Sequence, residues 1–92
     1  MITKISDWHP IMTDINQKKQ HLPFRQRIEV NAFNRNIEKM LFNISKLEVE
    51  LRQKKSKQVQ LKIDQAYEEV NAILPVMVNK ISRYSTLAIL SK

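Results

Sequence analysis

The chain has 92 residues and a formal net charge of +7, with no glycine, no cysteine and only three prolines. Without cysteine it can form no disulfide and has no thiolate chemistry, and the composition favours neither redox compartment. Hairpin turns and phosphate-cradling loops depend on glycine at positive φ, so this chain is a poor candidate for a β-sheet protein or a nucleotide-binding loop. We therefore predict one all-α domain over residues 1–92.

A short first helix is predicted over about residues 10–20, where Ile11, Met12 and Ile15 share one side. Pro10 suits its first turn, because the first backbone N–H groups of a helix have no partner within it. The stretch before Pro10 lacks a continuous apolar segment, so no secretory signal is evident and a cytoplasmic location is expected.

A long second helix is predicted over about residues 23–53, because apolar residues recur there at alternating gaps of three and four. The series is Val30, Phe33, Ile37, Met40, Ile44, Leu47 and Leu51. Such a helix is roughly 46 Å long. Its apolar series needs another element to cover it.

The apolar series then changes frame, which favours a turn at about residues 54–56 and a third helix over about residues 57–90. The new series is Val59, Ile63, Ala66, Val70, Ile73 and Met77. Facing residues of an antiparallel hairpin keep a constant sum of residue numbers, and the two series pair in this way in six layers centred on Lys55. The layers extend from Leu51 with Val59, through Ile37 with Ile73, to Phe33 with Met77.

This pairing predicts an antiparallel, coiled-coil-like helical hairpin, with the short helix packed against it to give a three-helix unit. A domain-swapped dimer, in which the two long helices run on as one, is left open because the turn contains neither glycine nor proline. In shape alone, the hairpin resembles the small hairpin chaperones and adaptors of bacterial secretion machines.

Pro75 lies within the third predicted helix, where it removes one backbone hydrogen bond and costs about 3 kcal/mol if nothing adjusts. The layers continue past Pro75 to Met77, so we expect a kink, with the apolar series shifted by one residue beyond it. The shifted series is Leu74, Met77, Ile81, Tyr84 and Ala88. The alternative is a separate helix that begins at Pro75.

Catalytic and metal sites have weak support in the sequence. His9 and His21 lie in proline-flanked connections at a spacing that matches no metal site. The adjacent carboxylates Glu68 and Glu69 point to different sides of a helix, so they form no acid–base pair. We expect no enzymatic activity, no cofactor, no small-molecule substrate and no membrane-spanning segment.

Apolar residues outside the paired series predict a surface that binds a helical protein or a second copy of the chain. The predicted interface residues are Ile28, Phe42, Val49, Val78, Tyr84, Leu87, Ile89 and Leu90. The function expected from this surface is non-enzymatic protein–protein interaction, as an adaptor, a chaperone-like protein or a complex subunit.

A basic cluster in residues 52–62 supports an alternative function. Its cations are Arg52, Lys54, Lys55, Lys57 and Lys62, with no acidic residue among them. At the tip of a hairpin they would face solvent together and contact phosphates, as in a nucleic-acid-associated accessory or regulatory protein. A solvated turn between two helices is the plainer interpretation of the same cluster.

Overall fold

The computed structural model describes residues 1–90 and contains, within that range, three α-helices and no β-strand. A 3₁₀ turn, Ile5–Asp7, leads directly into α1, Trp8–Lys19. The two long helices follow as α2, Phe24–Lys54, and α3, Lys57–Leu90. Together they form a rod with principal extents of 55 × 19 × 16 Å. The predicted all-α helical hairpin is confirmed.

Side-chain hydrogen bonds between α2 and α3 show that the two helices run antiparallel. Near the turn, the Tyr67 hydroxyl donates to Glu48 Oε1 at 2.8 Å. Toward the opposite end, the Lys80 ammonium donates to Glu29 Oε1 at 2.8 Å, although these residues are 51 positions apart. The chain therefore folds back on itself, and α2 and α3 do not form one continuous helix.

The turn consists of Lys55 and Ser56, and Lys55 adopts the left-handed conformation with φ 32° and ψ 50°. The Lys55 N–H donates to the Leu51 carbonyl at 2.7 Å, at the end of α2. Glycine is the usual residue in this position, because a Cβ costs roughly 1–2 kcal/mol in the left-handed region. Since the chain has no glycine, its sharpest reversal carries local backbone strain.

Most buried positions of the hairpin recur at a spacing of eleven residues. On α3 they are Val59, Ile63, Val70, Leu74, Ile81 and Ser85. On α2 they are Val30, Phe33, Asn34, Ile37, Leu41 and Ile44. An eleven-residue spacing corresponds to about 3.67 residues per turn, close to that of a straight α-helix, whereas a heptad requires about 3.5. The contact face can therefore stay aligned along both long helices.

The predicted layer of Ile37 with Ile73 is wrong. Ile73 is 43% exposed, whereas Leu74, one position later, is buried in the core. On α2, similarly, Leu41 is buried and Met40 is only half-buried. The one-residue shift that was predicted to follow Pro75 is therefore already present before it, because the contact face follows the eleven-residue spacing.

α3 continues through Pro75, so the alternative of a separate helix beginning there is wrong. Pro75 is exposed, and its ring removes the hydrogen bond that the Asn71 carbonyl would accept. Leu74 and Ile81 are buried in the core on either side of the proline. Their packing offsets the lost hydrogen bond, and a kink at this position stays a prediction.

α1 begins at Trp8, two residues before the predicted start, and α2 begins at Phe24, just after the extended Pro23. The Trp8 side chain is 6% exposed. Its ring meets that of Phe33 edge-on, with centroids 6.4 Å apart. Ile15 is also buried in this core, so two large side chains hold α1 against the hairpin.

Candidate partner-binding surfaces

A two-helix hairpin has a groove on each side, and α1 lies in one of them. The Lys18 ammonium of α1 donates to Ser82 Oγ of α3 at 3.0 Å. The neighbouring Lys19 ammonium donates to Asn31 Oδ1 of α2 at 2.9 Å. α1 therefore contacts both long helices, over the half of the hairpin that is farthest from the turn.

Helical geometry identifies the opposite groove. Residues nine positions apart are about 2.5 turns apart, so they lie on opposite sides of a helix. Nine positions separate Ser82, which contacts α1, from Ile73. Asn31 and Met40 on α2 are related in the same way. Ile73 and Met40 thus lie on the side away from α1, which we call the open groove. Its residues are Glu29, Met40, Leu47, Ile73, Val76, Lys80, Tyr84 and Leu87.

An apolar stripe on α3 borders the open groove. Ile73, Val76 and Leu87 are 43%, 66% and 61% exposed, respectively. Their spacing places them on one side of α3 along about 21 Å of helix. On the α2 side, Met40 and Leu47 are half-buried and pack against the core. The exposure of the stripe shows that no element within residues 1–90 covers it.

Lys80 interrupts the stripe with a cation that has defined contacts. Its ammonium lies 2.8 Å from Glu29 Oε1 and 5.7 Å from the centroid of the Tyr84 ring. The hydrogen bond to Glu29 raises the pKa of the Lys80 ammonium. The open groove therefore presents apolar side chains on both sides of one ion pair.

Three of the predicted interface residues are exposed on α2, outside the open groove. Ile28, Phe42 and Val49 are 49%, 61% and 45% exposed. The Lys46 ammonium lies 4.7 Å from the centroid of the Phe42 ring. Ile28 and Phe42 are 14 positions, or about 21 Å, apart, and Arg35 lies midway between them. These residues are exposed singly and do not form a continuous apolar patch.

The other five predicted interface residues lie on α3. Val78 and Tyr84 are half-buried and pack against the core. Leu87, Ile89 and Leu90 are 61%, 55% and 76% exposed around the end of the helix. Of all eight residues, Tyr84 and Leu87 border the open groove, and their role as an interface stays a prediction.

Ile73 and Val76 are open-groove residues that the predicted interface did not include. Ile73 fits the alternating gaps of three and four residues in the second apolar series, which predicts a place in the core. The eleven-residue spacing of Val59, Val70 and Ile81 was a signal that could have placed Ile73 outside the core.

The five predicted anion-contacting residues surround the turn and are called the basic tip. They are Arg52, Lys54, Lys55, Lys57 and Lys62. Within residues 1–90 the ion pairs are Lys18–Asp14 and Lys80–Glu29, and neither includes a residue of the basic tip. A cavity of about 400 Å³ beside the turn is lined by Leu51, Arg52, Lys55, Ser56, Lys57 and Gln60. The basic tip therefore faces solvent without a carboxylate counter-ion among the described residues.

Glu48 has the spacing of an ion-pair partner for Arg52, but it contacts α3 instead. Its Oε1 accepts the hydrogen bond from the Tyr67 hydroxyl at 2.8 Å. Burial and this hydrogen bond raise the pKa of Tyr67 to about 12. Glu48 thus connects the two long helices and leaves the charge of Arg52 available.

No three His, Asp or Glu side chains in the described part of the chain come together as a metal-binding group. The helices of residues 1–90 also lack an apolar stretch long enough to cross a membrane. Comparison with known proteins gives no matching family model, no matching curated protein and no matching solved structure. Function is therefore inferred from the two surfaces themselves, the open groove and the basic tip.

Proposed function

We propose that this chain is a non-enzymatic protein–protein interaction module that binds an amphipathic helix of another protein in the open groove. The observation that carries the proposal is the exposed stripe of Ile73, Val76 and Leu87. A groove between two helices accommodates a third helix, whose apolar residues at intervals of three and four would meet the stripe. An adaptor, a chaperone-like protein or a complex subunit would each use such a groove.

Burial of the stripe would supply the driving force for binding. Transfer of a Val or Leu side chain out of water is worth roughly 1.5–3 kcal/mol. Val76 and Leu87 are both more than half exposed, so most of this free energy is still available. The stripe is about 21 Å long, and a partner helix of about 14 residues would cover it.

The charge of the chain favours a different protein over a second copy as the occupant. At a net charge of +7, two copies repel each other, whereas an acidic helix is attracted. Lys80 beside the stripe is already paired with Glu29, so the attraction comes from the chain as a whole. The expected partner is a helix with an apolar face and acidic flanks.

A designed acidic amphipathic helix of about 18 residues is the probe that tests this proposal. Its affinity is measured by isothermal titration calorimetry. Val76→Asp and Leu87→Asp each place a carboxylate in the stripe, and each should weaken binding at least tenfold, because an unpaired charge would be buried against the probe. Leu61→Asp is the matched control and should leave the affinity unchanged. Leu61 is 59% exposed on the same helix, but it lies 12 positions, or about 18 Å, before Ile73 and is therefore beyond the end of the stripe.

An equal loss of affinity in Leu61→Asp and Val76→Asp would contradict the proposal. Phe42→Asp extends the control to α2, on the side away from the open groove, where the affinity should also be unchanged. The salt dependence gives a second criterion. Apolar association persists as salt rises, whereas binding by charge alone weakens steeply. Probe binding that disappears at high salt would therefore also count against the open groove.

Nucleic-acid binding through the basic tip is the second candidate function. The observation that favours it is the group of cations around Lys55 that lack an ion-pair partner among residues 1–90. A phosphate backbone would neutralise several of them together and release bound counter-ions.

Fluorescence anisotropy with a DNA duplex of about 20 base pairs, between about 50 and 200 mM salt, tests this second function. The tip variant combines Lys54→Gln, Lys55→Gln and Lys57→Gln. The control combines Lys4→Gln, Lys39→Gln and Lys46→Gln. The tip variant should reduce the slope of log affinity against log salt by about three. An equal effect of the control would show that the duplex responds to net charge and not to the basic tip.

A further inference from the structure

Asn71 of α3 binds both main-chain groups of a residue that lies 69 positions away. Its Oδ1 accepts a hydrogen bond from the Ile2 N–H at 2.7 Å. Its Nδ2 donates to the Ile2 carbonyl at 2.8 Å. One side-chain amide thus pairs with the N–H and the carbonyl of a single residue, as a neighbouring strand does at the edge of a β-sheet. Such pairing recognises an extended backbone whatever its side chain.

Ile2 lies against α3 as one residue of a bound peptide would. Lys4 is extended, with φ −148° and ψ 159°, and the Ile2 side chain is 1% exposed. The Asp7 carboxylate accepts the Thr3 N–H at 3.0 Å and so ties the segment to the start of α1. Residues Met1–Lys4, which we call the N-terminal segment, are therefore held by main-chain pairing and one aliphatic anchor.

Two cavities flank the N-terminal segment. The first, of about 540 Å³, lies between the segment and α1, and the residues on its walls include Pro10, Ile11, Leu74, Pro75 and Val78. The second, of about 510 Å³, lies on the other side of the segment, and its walls include Asp64, Tyr67, Glu68 and Ala72. Met1 borders both cavities and is 93% exposed, so its side chain fills neither. The site is larger than the segment that occupies it.

We propose that the face of α3 around Asn71 is a binding site for an extended peptide segment of another protein, and that the N-terminal segment occupies this site in cis. The incoming peptide pairs with Asn71 through one N–H and one carbonyl and places an aliphatic side chain where Ile2 now lies. The N-terminal segment competes with it, so the site is available only when that segment moves away. Asn71 and Lys80 are nine positions apart, so this site and the open groove lie on opposite sides of α3 and the two proposals are independent.

The walls of the two cavities indicate which residue types the peptide should carry before and after the aliphatic anchor. The first has apolar walls that include Ile11, Leu74 and Val78, which suit a large apolar residue immediately before the anchor. The second borders Thr3, the residue after the anchor, and contains Asp64 and Glu68 one helical turn apart. These carboxylates suit lysine or arginine after the anchor. The expected ligand is an extended peptide with the order large apolar, aliphatic, basic.

Two synthetic peptides test this site by NMR, through the side-chain amide signals of Asn71. The first peptide is MITKISD, the sequence of residues 1–7. The second carries phenylalanine in its first position and arginine in its third. The recipient is the Ile2→Asp variant, in which the cis anchor is lost. Both peptides should bind this variant at least tenfold more tightly than the wild type, because competition is removed. The second peptide should bind more tightly than the first.

A matched control peptide carries N-methyl isoleucine in its second position and lacks the N–H that Asn71 accepts. Its affinity should fall about tenfold, and so should the affinity of the first peptide when Asn71→Leu is added to Ile2→Asp. Backbone amide signals of α3 report binding to that double variant, because it lacks the Asn71 side-chain amide. Equal binding of the methylated and unmethylated peptides would overturn main-chain recognition by Asn71.

Absence of binding to a folded Ile2→Asp variant at millimolar peptide would overturn the proposal. A dimer that forms by exchange of N-terminal segments would also overturn it, because the occupant would then be a second copy. If Ile2→Asp does not fold, hydrogen exchange of the wild-type protein tests the proposal instead. The Ile2 amide should exchange through local opening, faster than the buried amides of α2 and α3. If the Ile2 amide exchanged only through global unfolding, the N-terminal segment would not leave its site in the folded protein, and the proposal would be contradicted.

Discussion

The two halves of the rod are built differently. In the base, farthest from the turn, three helices meet, and Trp8 and Ile15 of α1 are buried in one core with Ile81 of α3. In the tip, only α2 and α3 are present, yet Ile44 and Ile63 are still 0% and 4% exposed. Two helices therefore bury a narrow apolar seam without help, but they leave the groove on each side of it open.

Polar contacts follow the same division. In the base, α1 bonds to both long helices through Asn16, Lys18 and Lys19. In the tip, the hydrogen bond from Tyr67 to Glu48 is the cross-helix side-chain bond within residues 40–70. The turn beyond it carries the strain at Lys55. We therefore expect the base to supply most of the stability and the tip to be an arm of lower local stability.

Truncation of one buried isoleucine in each half should have the largest effect on stability and should distinguish the two halves. Ile81 is 1% exposed in the base and Ile63 is 4% exposed in the tip. Ile81→Ala should lower the free energy of unfolding by about 3–5 kcal/mol, because three helices surround the cavity. Ile63→Ala should lower it by about 2–3 kcal/mol, because a two-helix site can relax into the space. Urea denaturation followed by circular dichroism measures both values, and equal losses would show that the halves are packed equally firmly.

Tyr67→Phe tests the cross-helix hydrogen bond of the tip and should have an intermediate effect on stability. It removes the hydrogen bond to Glu48 and keeps the ring, so the free energy of unfolding should fall by about 1 kcal/mol. Because burial and Glu48 raise the pKa of Tyr67 from 10.0 to about 12, its contribution is complete below pH 10 and is lost as the pH rises toward about 12. The stability difference between wild type and variant should therefore shrink across that window. A difference that stays constant up to pH 12 would assign it to packing alone.

Lys55→Gly should stabilise the turn, by about as much as Tyr67→Phe destabilises the tip. Glycine adopts the positive φ of this position without a Cβ clash, so the free energy of unfolding should rise by about 1 kcal/mol. Lys55→Ala removes the same charge and keeps the Cβ, so it should change stability little. Thermal unfolding compares the two variants. An equal gain in both would attribute the effect to charge and not to backbone strain.

Asp7→Asn should have the smallest effect, at the N-terminal end of the base. The Thr3 N–H donates to the Asp7 carboxylate and lowers its pKa. A lowered pKa means that the contribution of Asp7 is present at neutral pH and is lost as the pH falls below 3.8 and through the depressed value. Wild type should therefore lose more protection of the Thr3 amide than Asp7→Asn does between about pH 5 and pH 2, as measured by hydrogen exchange. Parallel pH profiles would show that Asp7 does not hold the N-terminal segment.

The hairpin could be predicted because the spacing of apolar residues along the chain matches the period of the helices that bury them. The constant sum of facing residue numbers located the reversal at Lys55, which is the residue in the left-handed conformation. The register could be predicted less well, because periods of seven and eleven residues differ little over a few turns. The difference accumulates along a helix of 34 residues, and it moves Ile73 out of the core.

The polar contacts of the base could not be predicted, because they join positions that are distant in sequence. Asn34 is buried and donates to Asn16, 18 positions earlier. Asn71 pairs with Ile2, 69 positions away. Neither pair lies within one helix. The excess of apolar residues predicted an unpartnered surface, but its location depends on which groove α1 occupies. These long-range contacts determine which groove α1 occupies.

The most direct test of the open groove is a paramagnetic map of where a helix binds. The acidic probe carries a nitroxide label at its centre, and methyl signals of the chain are recorded by NMR. Broadening should concentrate at Met40, Val76 and Leu87 and should spare Val49 and Leu61, which lie outside the groove. Broadening centred on the basic tip, or spread evenly over exposed methyl groups, would contradict a groove that α1 leaves open for a partner helix.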